Sequence, residues 1–433
     1  LVPNWLTKLL QSKRNYRKNM PIFKPFRGVR PSEDFVETFP THPLDNFSQE
    51  EINKKAQMES SYIQMIKPYV VSKSKDVDRN LRKIRTNFEE LLHDKVIVQD
   101  SSAYYLYEQF LPNKSVFRGL LGLVSVDDFR NGKIKKHEST LTHKKEKLAY
   151  YLEKVNIQAE PVLLTYIANP KVELLMNHEE KNVPILNYLD DQGTRHKIWR
   201  IDNRLKMKEL KDVIEQIDSF YIADGHHRIG STALNAKNLQ DKNKKHNGTE
   251  HYNYVFSFIV SNQSIKIHDY NRLLEDLNGL TDEEFLKKIE QNFLVHEKGE
   301  IPYYPSQKFH ISMYLGGKFY SLHVKHELRN KQSNVNDLDH SLLEEFVIKD
   351  ILGIADPKTT DKITYCKGNS TVEGIQSLKE KVDSGKYKVG FGIYPVSFND
   401  LLKVSDHKIV MPPKCTYIEP KLVTALIMYD MKQ

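Results

Sequence analysis

The stretch Tyr221-Ile222-Ala223-Asp224-Gly225-His226-His227-Arg228 decides how this chain is read. An apolar run of strand character ends on an acid, a glycine follows, and a helix is expected from Ile229 to Leu239. A strand, a tight glycine turn and a helix start bring backbone N–H groups and the positive end of a helix dipole to one point, which suits a phosphate. In that setting Gly225 lets the backbone approach closely and Arg228 offers a fork for phosphate oxygens. His226 and His227 donate hydrogen bonds or shuttle a proton, and Asp224 serves as a base or as a Mg2+ ligand. Zinc is a competing reading, because Asp224, His226 and His227 are all acceptable ligands, although no Cys pair or His-x-x-x-His helix completes the set. The third reading is a surface turn with incidental polar residues.

Working outward, Ser219 to Ala223 joins Pro161 to Tyr166 and Tyr254 to Val260 as short apolar runs suited to buried strands. Strands alternating with helices through the middle third predict the α/β class with a mixed sheet, excluding an all-helical bundle or a sandwich. From Met20 to about Asn46 the Pro- and aromatic-rich segment reads as extended, not helical. Ser48 with Glu51 forms a capping box, and Val77, Leu81, Ile84, Phe88 and Leu91 recur at helical spacing. Tyr104 to Tyr107 reads as a strand, after which Val124 to Phe129 and the Asn131-Gly132 turn lead to Ile134. Asn235 to Asn253 reads as a polar loop, either disordered or a flap that closes over the Asp-Gly-His-His-Arg turn. Thr281 with Glu284 opens a capped helix, Gly316-Gly317 joins a hairpin, and the apolar helical face from Leu342 to Leu352 stops at Gly353. The expected division is a basic leader at 1–19 outside the fold, an N-terminal and central catalytic region at 20–275, and a C-terminal α/β region at 276–433 contributing to the site.

The chain has 433 residues, 39% hydrophobic and 28% charged. No window approaches the roughly 18 consecutive apolar residues of a membrane-spanning helix. Two cysteines, Cys366 and Cys415, allow one bridge at most, which argues for a reducing compartment, the cytoplasm, over a disulfide-stapled secreted scaffold. A net charge of +8 invites a nucleic-acid reading. Lys8, Lys13, Arg14, Arg17 and Lys18 supply five of those charges with no acid among them, leaving +3 for the rest, so no nucleic-acid partner and no membrane partner is expected. The leader reads as upstream translation before a natural start at Met20, or as a short amphipathic anchor. Oligomeric state is open.

Three further constellations carry chemistry. Lys135-Lys136-His137-Glu138-Ser139-Thr140 offers Glu138 as a general base, with His137 or Thr140 touching phosphate; a helix start capped by Thr140 or Thr142 is the bland alternative. His268-Asp269-Tyr270-Asn271-Arg272 follows a strand, where Asn271 and Arg272 reach ligand or are merely solvated. Met411-Pro412-Pro413-Lys414-Cys415-Thr416-Tyr417 is a proline-stiffened loop presenting Lys414 and Thr416. No G-x-x-x-x-G-K-[ST] loop, protein-kinase signature, G-x-G-x-x-G or G-x-S-x-G elbow occurs, which excludes the conventional nucleotide enzymes and serine hydrolases.

PIFKPFRGVRP, GKIKKHEST, YIADGHHR, IHDYNRLL and MPPKCTYIEPK stand in an order and spacing that resemble the bacterial and archaeal family called domain of unknown function 1015, from about Met20 to Met428. Cys415 departs from the family's more usual Ser, and Ile229 from a more usual Tyr. That family is similar to the ParB and sulfiredoxin superfamily, which includes an ADP-dependent free serine kinase. The resemblance implies a ParB/sulfiredoxin-like nucleotide-binding core with an additional C-terminal α/β domain. It implies phosphoryl transfer on free serine or phosphoserine, with ADP or ATP and Mg2+ as kinase or in the reverse sense as phosphatase. A nucleotide-binding regulator without turnover is the alternative. Asp224, His226, His227 and Arg228 map onto the phosphate-handling turn, and Glu138 is the carboxylate that receives the serine hydroxyl proton. Arg27, His137, Thr140, Gly225, Ser231, Asn271, Arg272, Lys414 and Thr416 are the implied phosphate or substrate contacts.

Overall fold

A computed structural model describes residues 20–71, 76–329, 337–357, 360–412 and 414–432. The expected leader at 1–19 lies outside the described residues. The chain packs as two compact units, one holding residues up to 135 with 140–265 and 420–433, the other holding 136–139 with 266–419.

In the first unit the described residues build a nine-stranded mixed sheet. From one edge it runs Ile134–Lys135, Phe220–Asp224, Val162–Tyr166, Tyr254–Ser261, Val116–Ser125, Tyr104–Phe110, Arg195–Ile201, Leu186–Leu189, with Phe23–Lys24 also on Val116–Ser125. Ile134–Lys135 pairs parallel with Phe220–Asp224, and Val162–Tyr166 with Tyr254–Ser261; the other pairs are antiparallel. The apolar runs read from sequence are the buried strands of this sheet. Leu164, Phe220, Ile222 and Ile259 are wholly inaccessible and pack with Ile229 of the following helix. A second core joins Val29, Leu81, Ile84, Phe88 and Met428, because Met428–Asp430 pairs with Gly28–Pro31 and Ile157–Gln158.

The second unit is an antiparallel six-stranded sheet in the order Phe293–Gly299, Lys318–Val324, His310–Leu315, Val389–Ile393, Tyr270–Leu274, Ile363–Lys367. The capping box at Thr281 and Glu284 starts the helix Asp282–Ile289, and a like box at Ser397 and Asp400 starts Phe398–Asp406. Lys266–His268 and Tyr417–Glu419 form a separate ribbon.

Two expectations change. The division falls between Ile265 and Lys266, not near residue 275, because Tyr270–Leu274 is an inner strand of the second sheet; the last residues return to the first unit through Met428–Asp430. The Asn131-Gly132 turn is present and closes a short helix. Ser125 Oγ accepts from the Asp127 N–H and starts the short helix Val126–Arg130, which Gly132 ends at φ +77°. The polar stretch from Asn235 is not a nineteen-residue loop. The helix His226–Lys242 runs through it with Asn235 and Ala236 buried, and Lys242 pairs with Glu153. What remains is tied down. His246 Nδ1 and Asn243 Nδ2 meet the Tyr252 hydroxyl at 2.9 and 3.1 Å, and the Glu250 carboxylate accepts from the N–H groups of Asn247 and Gly248. At about 1.5 Å per residue this connection starts roughly 25 Å along the helix from the Asp224 turn, so it does not cover it.

Asp339, at the start of the helix Asp339–Leu343, is buried and accepts from the Phe309 N–H at 2.7 Å. Burial pushes its carboxyl up to about 7, against the pull of the Phe309 N–H and the Lys308 charge. An aspartate in the unfolded chain ionises near 4, so the folded state holds the proton more tightly. The stability this group contributes is present below pH ~4 and is lost as pH rises towards ~7. Asp339→Asn keeps an acceptor for Phe309 and has no charge to bury. Across that window the wild type should therefore lose up to about 4 kcal/mol relative to the variant, measured by chemical denaturation of both. Parallel pH profiles would show that this carboxyl does not titrate abnormally.

Candidate functional site

The strand Phe220–Asp224 slips register against Val162–Tyr166 between Ile222 and Asp224, a bulge that bends its end just ahead of the turn. Gly225 then takes φ +94° and ψ +30° at the N-cap of the seventeen-residue helix His226–Lys242, and no side chain caps that helix. The first turn of a helix presents N–H groups that lack intrahelical acceptors, and the dipole adds positive charge there. Gly225 is required for a second reason. The Arg228 side chain folds back over it so closely that a Cβ at 225 would lie 2.7 Å from Arg228 Nε.

Arg228 is held on both sides. Its Nη2 donates to Asp224 Oδ2 at 3.2 Å and its Nη1 pairs with Glu160. Glu160 reaches it because Asp224 pairs with Leu163 in an antiparallel register, which lays the residues before Val162 beside those after Asp224. Asp224 also faces Lys421 Nζ at 3.4 Å. Burial lowers the Arg228 guanidinium to about 10, which leaves it a cation at neutral pH. Two cations and two carboxylates thus meet at the uncapped helix end.

His226 is buried in the first helical turn and His227 is half-buried beside it. Ser231, four residues beyond His227, and Asn235, four beyond that, are wholly buried, and their side-chain polar atoms have no hydrogen-bond partner. Thr140 lies near the same helix, since a side chain at Gly230 would touch its methyl group and Lys145. It does not cap the helix Thr142–Val155, whose N-cap is Leu141. Arg27 is exposed, between the strands Phe23–Lys24 and Gly28–Pro31.

In the second unit three motifs that the sequence scatters come together. His137 accepts the Met411 N–H at its carbonyl oxygen, 2.8 Å away, and its Nε2 lies 3.5 Å from Thr416 Oγ1 across 279 positions of chain. Glu138, half-buried, places its charge near Cys415. Burial pushes the Cys415 thiol up to about 12, with Glu344 and Glu138 adding to the rise and Arg272 opposing it. Cys415 therefore stands as a neutral thiol. Arg272 is buried on Tyr270–Leu274. Its Nη1 donates to the Tyr270 carbonyl at 2.7 Å, and its guanidinium carbon lies 4.5 Å from the centre of the Tyr365 ring. Burial lowers its pKa, offset by Cys415, Tyr365 and Glu344. The Asn271 carboxamide oxygen accepts from Ile393 N at 3.0 Å, so that oxygen secures a neighbouring strand. Lys414 is exposed, its ammonium 5.8 Å from the Tyr270 ring centre.

The two carboxylates at the turn, Asp224 and Glu160, are both paired with Arg228, and Asp224 also faces Lys421, which makes them a poor donor set for Mg2+, an oxygen-seeking ion. The residues at the turn do not by themselves fit a protein-held magnesium ion. The zinc reading is not met either: among the described residues, Asp224, His226 and His227 form no convergent group of metal ligands. Glu160 and Lys421 were missed as turn residues. Glu160 is signalled only by its place before a strand, and Lys421 ends the IEPK run of the last quoted motif.

A model of the family described as "Protein of unknown function (DUF1015)" matches residues 23–341. No curated protein matches the chain. Among solved structures it is similar to one described as "Free serine kinase in complex with AMP", at 14% identity over 70% of this chain and 91% of that one, with a TM-score of 0.34. It is also similar to SbnI with C-terminal truncation from Staphylococcus aureus, at 13% identity over 71% and 87%, TM-score 0.37. A conserved hypothetical protein from Pyrococcus furiosus is similar at 12% identity over 72% and 95%, TM-score 0.34. Likenesses of this size carry no assignment of activity.

Gly225→Ala should cost about 1–3 kcal/mol, combining positive-φ strain with the clash on Arg228. Gly248→Ala is the control, because Gly248 has φ +87° and nothing within 4 Å of an added Cβ. Chemical denaturation should find Gly225→Ala the more damaging of the two. Equal losses would mean that the close approach of Arg228 contributes nothing.

Proposed function

This chain belongs to the DUF1015 family, and from that premise we propose that it transfers a phosphoryl group to free serine from ADP or ATP, or works in the reverse sense on phosphoserine. The observation that carries the reading is the Gly225 joint. It lays a half-buried, oriented guanidinium across the start of an uncapped helix, where a phosphate gains both a bidentate fork and helix N–H groups. Positioning and charge neutralisation dominate phosphoryl transfer, so fixed donors account for most of what such a site supplies.

Arg228 grips phosphate oxygens, exchanging its carboxylate partners for them, while Asp224 and Glu160 hold the fork in place beforehand. His226 and His227 lie in the first helical turn as donors to phosphate oxygen. Glu138 takes the hydroxyl proton of serine as its oxygen bonds to the donor's terminal phosphorus and the bridging P–O bond breaks, leaving AMP or ADP. Lys421, Thr140, Ser231 and Arg27 are further candidates in the first unit, and His137, Thr416, Arg272, Lys414 and Asn271 in the second.

The test is to incubate the protein with serine plus ADP, with serine plus ATP, and with phosphoserine alone, following phosphoserine and free phosphate. One mixture should turn over, and Arg228→Lys should slow it about a hundredfold, because a point charge cannot reproduce the fork. Nucleotide binding without turnover in any mixture would replace this reading by a nucleotide-binding regulator.

Glu138→Gln separates a base from a structural residue. Since Glu138 caps no helix, turnover should fall by roughly a hundredfold or more with melting temperature and ligand affinity nearly unchanged. A destabilised but fully active variant would remove Glu138 from the chemistry.

A further inference from the structure

Away from the turn, in the first unit, His42 meets two adjacent acids. Its Nε2 lies 3.1 Å from Asp191 Oδ1 and 3.5 Å from Asp190 Oδ2, and the three ligand atoms all lie within 4.8 Å of one another. Tetrahedral coordination with bonds of about 2.0–2.2 Å sets donors about 3.3–3.6 Å apart, close to the two distances from His42.

The acids do not stand as a loose surface pair. Asp190 Oδ1 accepts from the Gln192 and Thr194 N–H groups at 2.9 and 2.8 Å, which fixes the turn between Leu186–Leu189 and Arg195–Ile201. Its Oδ2 lies 2.9 Å from Nε2 of buried His196, whose Nδ1 lies 2.8 Å from the Tyr107 hydroxyl. Gln109 Nε2 in turn donates to that hydroxyl at 2.7 Å. A ligating group oriented by a chain of buried hydrogen bonds is how metal sites are usually supported. Burial would raise the Asp190 carboxyl, but His196 and the turn N–H groups outweigh it and hold it below its usual range. Lys55 Nζ sits 3.7 Å from Asp191 Oδ2 and leaves Oδ1 to face His42. A cavity of about 190 Å³ opens beside these groups, and Thr41 in its wall has a buried hydroxyl with no hydrogen-bond partner.

We propose that His42, Asp190 and Asp191 bind a divalent transition ion of the zinc class, with a fourth position open to the cavity for water or a small ligand. One imidazole nitrogen and two carboxylate oxygens favour such an ion over Mg2+, which prefers an all-oxygen shell. Ligation requires a neutral imidazole and ionised carboxylates, so affinity falls at acid pH. The ion clips His42 to a turn almost 150 positions away, a long closure that restrains the unfolded chain.

The full chain is stripped with a chelator, dialysed, and titrated with Zn2+ and separately with Mg2+ by calorimetry. Co2+ serves as an optical probe, because a four-coordinate cobalt ion absorbs strongly in the visible. The wild type should take up one tight equivalent of Zn2+ with a rise in melting temperature, and His42→Ala should weaken that equivalent at least tenfold. Asp191→Asn should do the same, and as an exposed position it does not threaten folding. The proposal is overturned if the wild type binds no stoichiometric Zn2+, if both variants keep its affinity, or if Mg2+ binds as tightly as Zn2+.

Discussion

The positive-φ joint at Gly225 is the constraint on which the candidate site depends. It turns a buried strand into a long helix within one residue, and it leaves no room for a Cβ because the Arg228 guanidinium occupies that space. The charged groups at the turn are arranged around this closeness. The bulge at the strand end sets the angle, the register with Val162–Tyr166 delivers Glu160, and the returning C-terminal segment delivers Lys421 to Asp224. A guanidinium held by two carboxylates is already in the planar orientation that a phosphate needs, so little conformational entropy remains to be lost when an anion replaces one of them.

The second unit shows a different balance. Arg272 and His340 are buried near one another. Burial and the nearby Arg272 charge both hold His340 well below its ordinary pKa, so one of the two carries the charge and the other stays neutral. Glu344 and the Tyr365 ring face the guanidinium, and Cys415 contributes a thiol that burial keeps protonated. Buried ionic groups of this kind are weak sources of stability and are usually retained for a specific arrangement. Here that arrangement includes Glu138, carried into the unit by residues 136–139.

Much of this was legible locally. The capping boxes at Ser48 and Thr281, the Gly316-Gly317 hairpin, the buried strands and the strand–glycine–helix order of the turn are all short-range signals, and each is present. What composition concealed was the helix through Asn235 to Lys242. Lys, Asn, Gln and Asp suit a solvated helix face as well as a loop, and only the burial of Asn235 and Ala236 tells them apart. Partners far apart in the chain were concealed too. Glu160 with Arg228, Lys421 with Asp224, and Thr416 with His137 are joined by sheet topology, which no local window contains. The domain division failed for the same reason, since Tyr270–Leu274 reads equally well as the end of one sheet or the inside of the next until its partners are known.

Whether Arg228 meets phosphate directly is best measured by NMR of arginine-labelled protein. The Arg228 Nε–Hε resonance, assigned by its loss in Arg228→Lys, is followed as ADP, ATP or phosphoserine is added. The account predicts a saturable shift of that resonance with at least one of the three, as phosphate oxygens replace its carboxylate partners. A resonance that stays fixed while all three reach saturating concentration would contradict it.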